Sequence, residues 1–517
     1  MSKTITSFWF TVRHNPRLMV SAFFLSMVFF TFGYDGGVIS GLLAMAPFNA
    51  DFGSGHGAEG VKMLTSTDIS LIVALPNSGC LLGLPLAAIL GDRIGRKKTL
   101  LIGCAFNALG AAIQTGAPNL ATMVVGRWFT NASIFMFITM GSNLLAEISP
   151  SEIRGILTGL SIVLIDAAAI LSQGLNYAFS NVMHKYSYQV PLGVQIFFAV
   201  FICAGVLTLD DSATFYLTKG QDERALKALR TVRGGYDDAA IAAEFASLKA
   251  QSQLRQEEDP VSFKDLFTGV NRRRTLIALS IANMQQLSGI AFATNYITLF
   301  LSTIGGNVSA FTLAMAAAIL AFGGAIVGLC LVDIVGRRFL ALTSFSIIAV
   351  INLVVGVMGF LSLENPAVSS TIAAFCCMFA FFYAAGFGPL TYIIAAEVPS
   401  ARLRNKSNSV TFFAVACFAT VVTYVLPYLS NADAANLGPK IYLIFFGWMV
   451  GCIIVTYFYL PETKGRTPAE LDEMFEARLP ARKFKGYVCA LAVENFTAEA
   501  KLDGPSVEVE EDLETKA

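Results

Sequence analysis

Twelve runs of apolar residues, each close to the length needed to cross a lipid bilayer as a helix, recur along this chain. A helix rises about 1.5 Å per residue, so roughly 17–25 residues span the hydrocarbon layer. Within that layer every backbone N–H and C=O must be bonded inside the segment, which leaves helix as the form such runs take. The runs cover residues 18–44, 69–90, 99–115, 120–145, 155–176, 191–209, 275–303, 310–332, 339–361, 370–396, 406–429 and 440–460. The third is short for a full crossing, so its start is expected further upstream. With 55% of residues hydrophobic and 14% charged, the chain is far more apolar than a soluble core requires. The reading is an all-α membrane protein.

The placement of charge sets the topology. Of 36 Lys and Arg, 32 fall on the side of both chain ends, Arg127 falls within a span, and Lys62, Lys185 and Lys440 fall on the other side. Basic loops stay cytoplasmic, so both termini are expected inside the cell. The expected organisation is a cytoplasmic segment (1–17), a six-helix bundle (18–209), a cytoplasmic helical linker (210–274), a second six-helix bundle (275–460) and a cytoplasmic tail (461–517). Phe8, Trp9 and Phe10 read as an interfacial anchor, and the acidic end at 508–514 as disordered. Formal net charge is zero, so no basic field points to nucleic acid. Eight of the nine cysteines fall within spans and Cys489 in the tail, so no disulfide framework is implied. His14, His56 and His184 are isolated, and no metal or other cofactor is expected.

Two motifs each occur twice. Gly91 to Lys98 reads G-D-R-I-G-R-K-K, and Asp333 to Arg338 reads D-I-V-G-R-R. Glu147 to Gly155 reads E-I-S-P-S-E-I-R-G, and Glu397 to Arg404 reads E-V-P-S-A-R-L-R. Their acids recur at separations of 241 and 250 residues, so the chain is two parallel repeats of six helices.

These residues, with F-G-Y-D-G-G-V-I-S-G (Phe32 to Gly41), Q-Q-L-S-G (Gln285 to Gly289) and P-E-T-K-G-R-T (Pro461 to Thr467), resemble the sugar porter family of the major facilitator superfamily, particularly its fungal members. The resemblance runs from about Arg17 to Met474 and implies the major facilitator fold. It also implies a cytoplasmic gate of loop cations and acids: Asp92, Arg93, Arg96, Glu147, Arg154, Asp333, Arg337, Arg338, Glu397 and Arg404. The cations can pair with the acids across that face and close it reversibly. Plain positive-inside topology explains the cations but not the acids repeated beside them.

Charges inside the membrane are costly, about 2.5 kcal/mol or more at mid-bilayer, and mark pathways. Asp35 and Arg127 lie at similar depth, so a salt bridge between them is geometrically allowed. In proton-coupled relatives the matching Asp is implied to carry the proton and the Arg to be its switchable partner; a fixed structural pair is the alternative. Asp166 departs from the family pattern, which has a Gln at the position of Ile162, one turn earlier. It can replace that recognition group, titrate as a second proton site, or rest as a buried acid bonded to a neighbour. Gln285, Gln286, Asn295 and Tyr392 are the remaining candidates for the substrate pocket. Several family groups are absent: Ala291, Ala321 and Val415 stand where the family has Asn, and Ala416 where it has Trp. After the sixth span, D-D-S-A-T (Asp210 to Thr214) stands where the family reads P-E-S-P-R.

The expected function is a secondary active transporter, proton-coupled and working by alternating access in the plasma membrane, with a sugar or polyol as substrate. A transporter or exporter of a fungal secondary metabolite or organic acid is the alternative, and a non-transporting nutrient sensor the second. An enzyme is not expected, since no nucleophile–base pair, nucleotide loop or metal cluster appears.

Overall fold

Each apolar run forms a helix for the reason given above. A computed structural model describes residues 13–56, 62–150, 153–257, 262–305, 308–400, 402–487 and 489. The anchor at Phe8, Trp9 and Phe10, the acidic end, and the side chains of Arg154 and Asp333 lie outside what it describes. The first six spans are α1 (Pro16–Leu42), α2 (Ser66–Ile94), α3 (Arg96–Thr115), α4 (Leu120–Ile148), α5 (Arg154–Phe179) and α6 (Tyr186–Thr208). In the second half, α7 is built from three pieces, Gly269–Leu287, Ile290–Asn295 and Ile297–Ile304. Then follow α8 (Ala310–Val335), α9 (Arg337–Met358), α10 (Pro366–Phe382, a π-helical turn Tyr383–Phe387, and Gly388–Glu397), α11 (Arg404–Ser430) and α12 (Gly438–Tyr459).

Ten of these are long and apolar enough to cross a membrane by length and hydropathy alone. The other two, α3 and α7, have visible causes. The third span starts upstream of 99, as expected, and the added residues Arg96, Lys97 and Lys98 dilute its hydropathy. The seventh is interrupted at Gly289, which takes φ 94°, a left-handed conformation that glycine adopts without strain. Between α6 and α7 the chain forms helices Ala213–Thr218, Asp222–Val232 and Asp238–Glu257.

The outer surface of the bundle exposes many large apolar side chains. On α6, Phe197, Val200 and Leu207 recur at helical spacing along one face and are 62%, 59% and 57% exposed. A soluble protein does not present such a stripe; here lipid covers it. Polar side chains sit between helices instead: Asn107 Nδ2 donates to Ser133 Oγ at 2.9 Å, and Gln114 Nε2 to Thr130 Oγ1 at 3.2 Å, joining α3 to α4.

The closest backbone approach uses glycines spaced four apart on α1. A Cβ at Gly33 would stand 2.0 Å from the Ile165 carbonyl oxygen, one at Gly37 1.9 Å from Ser172 Oγ, and one at Gly41 2.2 Å from Asn176 Nδ2. Lipid tails are as apolar as leucine, so helices associate through close packing and hydrogen bonds, and small residues permit both. At Gly37 the backbone carbonyl accepts from Gln173 Nε2 and Asn176 Nδ2 at 3.2 and 2.9 Å.

On the face opposite the basic loops, hydrogen bonds join the two halves. Ser40 Oγ of α1 lies 3.2 Å from Thr298 Oγ1 of α7. Ser66, which starts α2, donates its backbone N–H and its hydroxyl to the Asp433 carboxylate between α11 and α12, at 2.7 and 2.6 Å. Ser70 Oγ donates to the Tyr424 carbonyl at 2.8 Å. These bonds seal that face between the halves.

Candidate functional site

Asp35 lies seven residues before the end of α1, and Arg127 seven after the start of α4, so both sit about 10 Å below the sealed face. They meet there. Arg127 Nη2 is 3.3 Å from Asp35 Oδ2 and Nη1 is 3.5 Å from Oδ1, in a two-pronged pair 3% and 6% exposed. Two further groups complete the set, neither singled out in the sequence. Gln195 Nε2 of α6 donates to Asp35 Oδ1 at 3.1 Å, and Arg127 Nε donates to the Ile72 carbonyl of α2 at 2.8 Å. That carbonyl is available because Pro76, four residues on, has no N–H to give it and opens a 3₁₀ segment at Leu75–Gly79. Gly126 lets α4 approach α3 here, where a Cβ would stand 2.8 Å from the Gln114 amide nitrogen. A polar residue mid-span was the signal that would have found Gln195.

Asp166 lies twelve residues into α5 and thirteen from its end, at mid-membrane. It is half-buried, and no hydrogen bond or ion pair engages it among the described residues. α5 is packed between α1 of its own half and α8 of the other, with the Ile165 carbonyl against Gly33 and the Leu329 side chain against Gly159, so Asp166 lies on a helix at the seam between the halves. Tyr392 stacks on Phe412 of α11 at 5.6 Å and is 36% exposed. Tyr383, which sequence reasoning missed, begins the π-helical turn of α10, a distortion that recurs at functional sites. Gln285 Nε2 donates to its hydroxyl at 2.5 Å. Gln286 and Asn295 are half-buried, and Asn295 Oδ1 lies opposite Gly36 of α1, 3.9 Å from where a Cβ would be. Among the family departures, Ala291 and Ala416 are packed at 4% and 5% exposure, whereas Ala321 and Val415 are half-buried.

The basic face carries the same device twice. Arg96 Nη2 pairs with Glu147 at 3.1 Å and Nη1 donates to the Gly91 carbonyl at 3.3 Å; Arg337 Nη2 pairs with Glu397 at 2.9 Å and Nη1 donates to the Val332 carbonyl at 3.3 Å. Gly95 and Gly336 precede these arginines with φ 99° and 100°. Each glycine leaves room for an acid at the start of the next helix, where amides are unpaired and the dipole favours negative charge. Asp211 accepts from the amides of Arg96 and Lys97, and Glu462 from those of Arg337 and Arg338. The D-D-S sequence thus keeps the task of P-E-T. Burial pushes the Asp211 carboxyl up from its ordinary range, against the amide bonds that pull it down.

These pairs differ from the gate expected above in two respects. Among the described residues they lie within one half, not across the face. Among the described residues Arg338 does not pair with a gate acid: it donates to the Leu460 and Tyr457 carbonyls and caps α12. Asp92 and Arg93 are exposed, and Arg404 begins α11 with its Nε buried. A double-mutant cycle reads the difference. Arg96→Gln with Glu147→Gln is expected to show a coupling of about 1–2 kcal/mol in thermal unfolding, and Arg96→Gln with Glu397→Gln about zero.

Solved structures of the xylose transporter XylE from E. coli share the fold. The partially occluded inward-open form has a TM-score of 0.72 at 16% identity, covering 87% of this chain and 100% of that one. The proton:xylose symporter bound to 6-bromo-6-deoxy-D-glucose also has a TM-score of 0.72, at 18% identity, covering 89% and 99%. By sequence, the major facilitator-type transporter ecdD of Aspergillus rugulosus is 30% identical over 89% of this chain and 87% of its own length. The probable glucose transporter rco-3 of Neurospora crassa is 29% identical over 89% and 79%. The high glucose sensor RGT2 of Saccharomyces cerevisiae is 26% identical over 90% of this chain and 61% of its own length. The profile of the family described as sugar (and other) transporter matches residues 21–475, and this twelve-helix chain belongs to that family.

Proposed function

We propose that the protein is a proton-coupled secondary transporter of a small organic solute, working by alternating access in the plasma membrane with both termini in the cytoplasm. The basic loops support the orientation, since positive charge stays inside. The observation that carries the coupling is the buried Asp35–Arg127 pair with its Gln195 and Ile72 partners. Protonating Asp35 leaves Arg127 charged in a medium that penalises a lone charge by several kcal/mol, so proton entry favours a rearrangement that finds Arg127 other partners. Deprotonation reverses it. Gln285, Gln286, Asn295 and Tyr392 line the solute's path, and the seal opposite the basic face represents one end of the cycle. Relatives named as glucose transporters and the proton:xylose symporter support a sugar or polyol as substrate.

The test is purified protein in liposomes carrying a pH indicator, challenged with sugars, polyols and other small metabolites. Solute-dependent proton movement with solute uptake is expected. Solute uptake with no proton movement reduces the protein to a facilitator, and solute binding without flux favours a sensor, the role named for RGT2.

A further inference from the structure

We infer that the Asp166 carboxylate recognises an organic ammonium group on the solute, so that the substrates include protonated amines. The inference takes its meaning from the transporter reading above, but its test reads binding, not flux.

The two carboxylates of the membrane interior are treated differently. Asp35 is satisfied by Arg127 and Gln195, whereas Asp166, at the middle of α5, has no protein partner among the described residues. An unpaired carboxylate at that depth is costly, and a cation arriving in the path offsets the cost. Aromatic groups supply the rest of such a site. On α10, Tyr383 lies fourteen residues from the basic end, at about the depth of Asp166, and stacks on Phe379 at 6.0 Å; Tyr392 stacks on Phe412 of α11 at 5.6 Å. An ammonium ion is held by a carboxylate on one side and ring faces on the other, a combination that gives a neutral hydroxyl much less.

The amides point the same way. Neutral hydroxyls need convergent amide donors and acceptors. Here Gln173 and Asn176 are used on the Gly37 carbonyl, Gln195 on Asp35 and Gln285 on Tyr383. Gln286 and Asn295 are the candidate amides left without a hydrogen bond among the described residues.

The experiment uses the purified full chain and matched probes: 2-phenylethylamine against 2-phenylethanol, and glucosamine against glucose, with thermal shift and calorimetry as readouts. At least one amine is expected to bind saturably and more tightly than its hydroxyl counterpart. Asp166→Asn is expected to weaken that amine by about 10- to 100-fold and leave the alcohols unchanged. Tyr392→Leu is expected to weaken it by about 3- to 10-fold, through loss of a ring face. Because Asp166 bonds no protein group among the described residues, Asp166→Asn should stay monodisperse; if it does not, Asp166→Glu, which keeps the charge, must retain amine preference. Failure of both amines to bind, alcohols that bind as tightly as their amine counterparts, or unchanged amine affinity in Asp166→Asn overturns the inference. Loss of proton movement in Asp166→Asn with amine affinity intact overturns it in favour of a second proton site. Amines that bind but never cross liposomes leave it standing and sink the transporter reading instead.

Discussion

Asp35→Asn is expected to abolish accumulation driven by a pH gradient while leaving solute exchange measurable. One pH unit corresponds to about tenfold accumulation when one proton accompanies each solute, so wild type should reach roughly tenfold and the variant roughly onefold. The amide keeps nearly the shape of the carboxylate and can still accept from Gln195 Nε2, which donates to Asp35 at 3.1 Å. What it lacks is charge. Arg127, 3% exposed, is left with the Ile72 carbonyl and no counter-ion, which costs about 3–5 kcal/mol and lowers the melting temperature. Adding Arg127→Gln removes the stranded charge and should recover part of that stability without restoring coupling. That recovery separates a damaged fold from a lost proton site. Wild-type accumulation persisting in Asp35→Asn would leave the pair a fixed strut.

Substitutions along the α1 glycines should fall in the order of what a new side chain meets. Gly33→Leu is expected to leave almost no folded protein. Its Cβ would lie 2.0 Å from the Ile165 carbonyl oxygen, a backbone atom that moves only if α5 moves. Even Gly33→Ala should cost about 2–3 kcal/mol by overpacking. At Gly37 the clash is with Ser172 Oγ, a side chain that can rotate, so Gly37→Ala should cost less. Gly36→Ala meets Asn295 Oδ1 at 3.9 Å, an ordinary contact, and should stay within about 0.5 kcal/mol. The monodisperse fraction on gel filtration in detergent ranks the variants. A Gly33→Leu protein as abundant and stable as wild type would mean that α1 and α5 are not in this contact.

The sequence by itself determined the helices, their number and their repetition. A bilayer leaves a backbone no alternative to bonding within its own segment, so twelve apolar runs became twelve helices, and a short third run lengthened to Arg96. The recurrence of G-R loops and acids announced the duplicated basic face, and the cost of charge in lipid made Asp35, Arg127 and Asp166 visible at once. Partnership was another matter. Which helix lies beside which depends on close fits such as Gly33 on Ile165, and hydrophobicity discriminates nothing when the solvent is itself apolar. Gln195 on Asp35, the Ile72 carbonyl released by Pro76, Gln285 on Tyr383, and Asp211 in the role of Glu462 all follow from those neighbourhoods. So does the pairing of Arg96 and Arg337 within their own halves. Only the tertiary structure decided these, because a hydrogen bond is a matter of distance and direction that residue type and spacing do not carry across helices.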